Sequence, residues 1–240
     1  MDKIKITFSA AVYHLYHSIT NPKVWAAFLV LFTVMFQSFV ANSGASYGIS
    51  AFCELFRMKA GSQYYIVYLS LLMIFSELPF DDPQQKMLVV RSGKRCWYIS
   101  QMLYVILECL LVILFITVVT FFFTFGKIDF ASEFDIFCWC YPMGFFVSVV
   151  YGSLVFVLNT LKRYAGTIFG AVLIALQLFQ NWIMFKQIRY ASMLGWCDYD
   201  IVKGMGDSGR IYVISALIVL YAAALVLAFF NSRKKKDLDM

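Results

Sequence analysis

Six long apolar runs constrain this chain more than any other feature of its sequence. Each has the length of an α-helix that crosses the roughly 30 Å hydrocarbon core of a bilayer. They occupy residues 24–41, 60–78, 99–125, 137–158, 165–185 and 211–230. Because lipid offers the backbone no hydrogen-bonding partners, spanning runs of this kind are helical. We therefore predict an all-α integral membrane protein with six transmembrane helices.

Composition favours the same class. Hydrophobic residues make up 62% of the chain and charged residues 14%, and the mean hydropathy is +0.75. A soluble domain carries about 25% charged residues. The spacing of the runs predicts a single transmembrane domain over residues 1–240. The net charge of +6 is divided among short loops, so it indicates membrane orientation and no nucleic-acid partner.

The residues before the first run have helical periodicity. Apolar residues share one face of a helix over residues 2–20: Ile4, Phe8, Ala11, Val12, Leu15 and Ile19. Lys3, His14 and His17 fall on the opposite face. The pattern predicts an amphipathic helix lying in the membrane interface, with both histidines as interfacial side chains. Asn21-Pro22 then has the signature of a helix restart.

The most polar stretch between two runs is the loop of residues 79–98. Asp82 has the position of an N-cap, Pro83 that of a first helical residue, and Gly93 that of a stop signal. The residues of the intervening short helix are Pro83, Gln84, Gln85, Met87, Leu88, Val89, Val90 and Arg91. A separately capped helix with apolar residues outside the membrane predicts a docking element for a partner protein.

Lysines and arginines are unevenly distributed between the two sides of the membrane. Thirteen of the 20 lie in the segments on the side of the N-terminus, and seven lie on the other side. The positive-inside rule therefore predicts cytoplasmic N- and C-termini and a cytoplasmic loop 79–98. We expect the protein in the plasma membrane. It also places Cys96 inside and Cys197 outside.

Together these elements resemble the permease subunits of type-2 ATP-binding-cassette (ABC) exporters, especially small bacterial ones. The resemblance rests on the helix that ends at Asn21-Pro22, the acidic start of the loop between spans two and three (Glu77, Asp81, Asp82), its continuation LVVRSGKRCWYISQMLY over residues 88–104, and the longer outer segment before span six. It covers the whole chain as an architecture and is sharp over about residues 77–104.

The resemblance implies specific roles and partners. Residues 83–91 would be the cytoplasmic coupling helix that docks on an ABC ATPase subunit, and the segment before span six would form re-entrant helices. A second permease subunit, identical or homologous, would complete the transporter. The sequence has no Gly-x-x-x-x-Gly-Lys-Ser/Thr phosphate loop. We therefore expect a chain that is not an enzyme and binds no cofactor or metal, with ATP and Mg²⁺ on the partner ATPase.

Two other classes also suit an apolar chain with several spans. A secondary transporter places ionisable groups at the bilayer midplane and shows broken helices in paired repeats, whereas only Glu108 lies deep in a run here. A regulatory or immunity membrane protein, or an intramembrane enzyme, would work without an ATPase partner. An intramembrane protease would need paired carboxylates, a Ser/His pair or a metal cluster within its spans.

Polar residues inside the runs are the candidates for a translocation path or a dimer contact: Gln37, Glu108, Gln177, Gln180 and Asn181. Glu108 follows residue 99 by nine positions, which is about 13 Å into the membrane, so we expect it to face the protein interior. The alternative role is a structural hydrogen bond to a Ser, Thr or Tyr of a neighbouring helix. The expected substrate is hydrophobic or amphipathic, such as a peptide, a lipid or a drug.

Overall fold

The computed structural model describes residues 3–43, 63–81, 93–124, 130–182 and 193–233. This part of the chain is helical throughout, apart from short connections, and contains no strand. Its helices are α1 (Lys3–Thr20), α2 (Pro22–Ser43), α3 (Gln63–Asp81), α4 (Lys94–Thr124), α5 (Phe130–Leu161), α6 (Ala165–Trp182) and α7 (Tyr199–Arg233), with a 3₁₀ turn at Met193–Cys197.

Four of the helices are long and apolar enough to cross a membrane. The spanning segments are Pro22–Val40, Lys94–Phe123, Phe134–Leu161 and Tyr199–Arg233, in α2, α4, α5 and α7. Shorter apolar segments, Ile66–Phe75 and Ala165–Phe179, lie in α3 and α6. The chain is thus an all-helical, membrane-embedded, multi-pass protein. The count of six spans stays a prediction, and the proposed coupling helix of residues 83–91 lies outside the described residues.

One predicted helix boundary, the restart at Asn21-Pro22, is confirmed by local geometry, whereas Gly93, predicted to stop the helix of residues 83–91, is observed just before the start of α4. Asn21 caps α2, because its Oδ1 accepts the N–H of Lys23 at 3.0 Å and Pro22 is the first helical residue. Gly93 has a φ of 82°, a conformation that glycine adopts without strain. Its carbonyl oxygen accepts the N–H of Trp97 at 3.2 Å and opens α4.

Other boundaries differ from the predicted ones. The third span was predicted to begin at residue 99, yet α4 begins at Lys94, so the end of the predicted 79–98 loop is helical. Likewise α5 begins at Phe130 and α7 at Tyr199, ahead of the predicted 137 and 211. Hydropathy marks the apolar part of a helix, whereas the helix itself extends into polar residues at its ends.

The described chain before the last predicted span is helical, and its first part is buried. All five residues of the 3₁₀ turn are buried, including Cys197, which is therefore not accessible from solvent. The turn packs against α5, α7 and α6. Gly206, with a φ of 71° and a ψ of −171°, then interrupts α7. A short helix therefore precedes the long final segment.

Helices α4 and α5 form the centre of the bundle. Helix α4 packs against α1, α5, α7 and α3, and α5 packs against α3, α4, α6 and α7. Aromatic contacts join α4 and α5 near both ends, with ring centroids 5.7 Å apart for Trp97–Phe156 and 5.5 Å apart for Phe121–Phe137. The two helices are therefore antiparallel.

Hydrogen bonds between side chains join neighbouring helices. The hydroxyls of Tyr68 in α3 and Ser148 in α5 share one. At one end of the bundle, Asn231 Nδ2 in α7 donates to Thr160 Oγ1 in α5 at 3.3 Å. Such bonds matter in lipid, because no hydrophobic driving force holds one apolar helix against another there.

Helix α6 is capped by a side chain of α5. Asn159 Oδ1 accepts the backbone N–H groups of Gly166 at 2.8 Å and Thr167 at 3.2 Å. Position 166 must be glycine, since a Cβ there would lie 1.8 Å from the carbonyl oxygen of Val155. One asparagine thus satisfies two of the N–H groups that a helix start leaves without partners.

The cap can be tested by substitution. Asn159→Leu removes the acceptor and leaves two backbone N–H groups unsatisfied, so we expect a loss of about 1–3 kcal/mol of unfolding free energy. Asn159→Asp is the matched control: it keeps an acceptor oxygen, and its charge suits a helix N-terminus. Unfolding in detergent micelles, followed by tryptophan fluorescence, measures both. A leucine variant as stable as the aspartate variant would contradict the capping role.

Candidate functional site

Helix α1 turns its small and polar face toward the bundle. Its buried side chains are spaced three and four residues apart: Thr7, Ala10, Ala11, His14 and Ser18. Phe8 and Tyr16, by contrast, are 57% and 68% exposed. The helix itself was predicted, but the interpretation of His14 as an interfacial side chain is wrong, because His14 is 3% exposed. In lipid, small and polar side chains favour helix contacts and large apolar ones can face outward.

Two side chains of α1 contact Tyr104 of α4. Its hydroxyl and Ser18 Oγ are 2.5 Å apart, and the ring of His14 packs edge-to-face on its ring with centroids 6.0 Å apart. The same hydroxyl lies 3.5 Å from the carbonyl oxygen of Phe75 in α3. Tyr104 therefore links three helices.

Glu108 lies one turn after Tyr104 and completes what we call the α1–α4 polar cluster: His14, Ser18, Tyr104 and Glu108. It is 4% exposed, which confirms the prediction that it faces the protein interior. Its carboxyl group lies beside the hydroxyls of Tyr104 and Ser18. Its Oε1 has no hydrogen-bond partner among the described residues. The cluster thus contains a buried acidic group that its surroundings satisfy only in part.

The cluster lies about halfway along the contact between α4 and α5. Glu108 follows Trp97 by eleven residues and precedes Phe121 by thirteen, and these two aromatic residues mark the ends of that contact. The C-terminal end of α1 therefore reaches the middle of α4. A carboxyl group within a membrane-spanning helix is costly, and residues of this kind commonly serve function.

Of the other predicted path residues, Gln37 and Gln177 do not join Glu108. Gln37 is exposed on α2. Gln177 is 2% exposed on α6, whose main helical neighbours are α5 and α3. Gln180 and Asn181 belong to α6, but their side chains lie outside the described residues. A continuous path through these residues therefore stays a prediction.

A second feature is an apolar cleft of about 590 Å³ between α5 and α7, which we call the α5–α7 cleft. Ile106 of α4 contributes to its wall, with Met143 and Val150 of α5 and Ile214 and Ile218 of α7. Among the described residues that line it, Tyr221 alone has a hydroxyl. The cleft has the chemistry of a site for a hydrocarbon chain.

Sequence reasoning missed both groupings. The signal for the buried face of α1 was the spacing of Thr7, Ala11, His14 and Ser18, which places one small or polar residue on each turn. The partners of Glu108 and the α5–α7 cleft had no local signal, because each is built from helices far apart in the chain.

Comparisons with protein-family models, with curated proteins and with solved structures find no match. The helical architecture and the α1–α4 polar cluster are therefore the observations on which a function can be based.

Variants of Glu108 test whether this residue of the cluster contributes to the stability of the fold. Because Glu108 Oε1 has no described partner and Ser18 and Tyr104 bond to each other, we expect Glu108→Gln and Glu108→Leu to change the unfolding free energy by less than about 1 kcal/mol. Ser18→Ala is the comparison variant and should destabilise. Detergent unfolding curves provide the measurement. A marked loss of stability in both Glu108 variants would make the residue structural.

Proposed function

We propose that this chain is the membrane permease subunit of an ABC exporter, which moves a hydrophobic or amphipathic substrate using ATP hydrolysed by a separate subunit. The supporting observation is the order and packing of its elements. A separate helix, α1, precedes the first span, and a buried helical segment precedes the last long one. Between α3 and α4 lies the short polar segment that resembles a coupling helix.

The packing of α1 suggests how coupling would work. Helix α3 ends at Asp81 and α4 begins at Lys94, so the proposed coupling helix connects these two helices directly. Tyr104 belongs to α4, and its hydroxyl contacts the Phe75 carbonyl oxygen of α3. The two helices that flank the proposed coupling helix therefore meet at Tyr104. A displacement of residues 83–91 by a nucleotide-driven partner would therefore reach Tyr104, and through Ser18 it would reach α1.

Glu108 lies where this movement would act. Glu108 is buried in the conformation described. A movement that opens the α1–α4 contact would allow its unsatisfied oxygen to accept a hydrogen bond from a polar group of the substrate or from a second permease subunit. In this proposal, Glu108 is a polar contact of the translocation path or of the permease–permease interface. Two permease copies, identical or homologous, would pair in the plasma membrane with both termini of each chain in the cytoplasm.

Purification of the native complex tests the proposal. Extracted from its own membranes in mild detergent, the chain should copurify with an ABC ATPase subunit. The isolated chain should show no ATP hydrolysis, because its sequence has no phosphate loop. A native preparation without an ATPase would favour a secondary transporter or a regulatory membrane protein. Robust hydrolysis by the chain alone would contradict the proposal.

The coupling segment can be tested in the same preparation. Leu88→Asp places a charge on the proposed docking surface, and we expect at least a tenfold loss of copurifying ATPase with little change in membrane abundance. Leu88→Met is the matched control, since it keeps an apolar side chain of similar volume. Equal recovery of the ATPase from both variants would make residues 83–91 an ordinary loop.

A further inference from the structure

The α5–α7 cleft extends along the membrane-spanning direction. On α7 it is lined from Ile214 to Leu225, a distance of about 16 Å along a helix. That is roughly half of the 30 Å hydrocarbon core, or the depth of one leaflet. An apolar cleft of this length suits a single acyl chain that enters from one side of the bilayer.

One end of the cleft carries a positive charge. Arg210 lies one turn before Ile214, and Trp139 lies one turn before Met143. The Arg210 guanidinium is 5.8 Å from the ring centroid of Trp139 and 5.9 Å from that of Tyr199. Within the described part of the chain, these rings are its contacts and no carboxylate pairs with it.

The two walls of the cleft run parallel. Arg210 meets Trp139 at one end of the bundle, and Asn231 meets Thr160 at the other. Both pairs have the same offset in residue number, so α5 and α7 keep one register over their whole contact. Arg210 therefore lies at the end of the cleft formed by Met143 and Ile214.

From this geometry we propose that the α5–α7 cleft binds one acyl chain of an anionic phospholipid from the surrounding bilayer, with the lipid phosphate at Arg210. The apolar walls accept the chain, and the guanidinium complements the phosphate charge. Trp139 and Tyr199 are residue types that concentrate at the level of lipid headgroups. The site is independent of the proposed ATPase partner.

Photolabelling of the purified protein in lipid nanodiscs tests the site. Two probes carry the same diazirine acyl chain, one on phosphatidylglycerol and one on phosphatidylcholine, and mass spectrometry maps the labelled peptides. We expect the anionic probe to label residues 143–150 and 214–225 about fivefold more than the neutral probe, the ratio that one basic residue gives with anionic lipid. That preference should fall as the salt concentration rises.

Variants separate the headgroup contact from the acyl-chain contact. Arg210→Gln should make labelling by the two probes equal, and Arg210→Lys should keep the preference for the anionic probe. Arg233→Gln, at the opposite end of α7, should leave that preference unchanged. Ala222→Trp fills the cleft and should lower labelling by both probes about fivefold or more. Ala223→Trp is the matched control, because Ala223 does not line the cleft.

Three results would overturn the proposal. Equal labelling by both probes in the unmodified protein, at every salt concentration, would contradict the preference for an anionic headgroup at Arg210. Labelling that Ala222→Trp does not reduce would place the acyl chain elsewhere. Cleft peptides that neither probe labels would mean that no lipid chain occupies the cleft.

Discussion

The hydrogen bond between Ser18 and Tyr104, beside the buried Glu108, is the contact on which the rest of the described structure depends. It attaches α1 to α4, the helix that also contacts α3, α5 and α7. Because the Tyr104 hydroxyl also approaches the Phe75 carbonyl, one phenol joins three helices. In an apolar solvent, where helices gain nothing by hiding hydrophobic surface from one another, a polar contact of this kind determines which faces meet.

The same physics explains the remaining helix contacts. Asn159 caps α6, Gly166 permits its close approach to α5, and Gly152 brings α5 against α4, where a Cβ would lie 2.9 Å from Val105. Large apolar side chains lie both in the core, as Trp97 and Phe156 do, and on the outside, where Phe122 is 77% exposed. Small and polar residues therefore join the helices at specific points within an apolar core, and the apolar exterior provides surfaces such as the α5–α7 cleft for lipid.

The sequence predicted the parts of this structure that depend on local pattern. Hydropathy located the helices, and Asn21-Pro22 marked one boundary correctly. Gly93 was predicted to end the helix of residues 83–91, which lies outside the described residues. The interior position of Glu108 followed from the cost of exposing a carboxyl group to lipid. The sequence did not predict which face of α1 packs on the bundle. Its periodicity indicated an interfacial helix, and α1 packs with Thr7, His14 and Ser18 inward. The partners of Glu108 depend on helix packing, which no single segment encodes.

The central claim is that the polar face of α1 packs against α4 through Ser18 and Tyr104. A double-mutant cycle with Ser18→Ala and Tyr104→Phe, measured by denaturation in mixed micelles, tests it most directly. We predict a coupling free energy of about 0.6–1.5 kcal/mol, the range of a hydrogen bond between membrane helices. Losses that add to within about 0.3–0.5 kcal/mol would mean that the two residues do not interact, which would contradict the placement of α1.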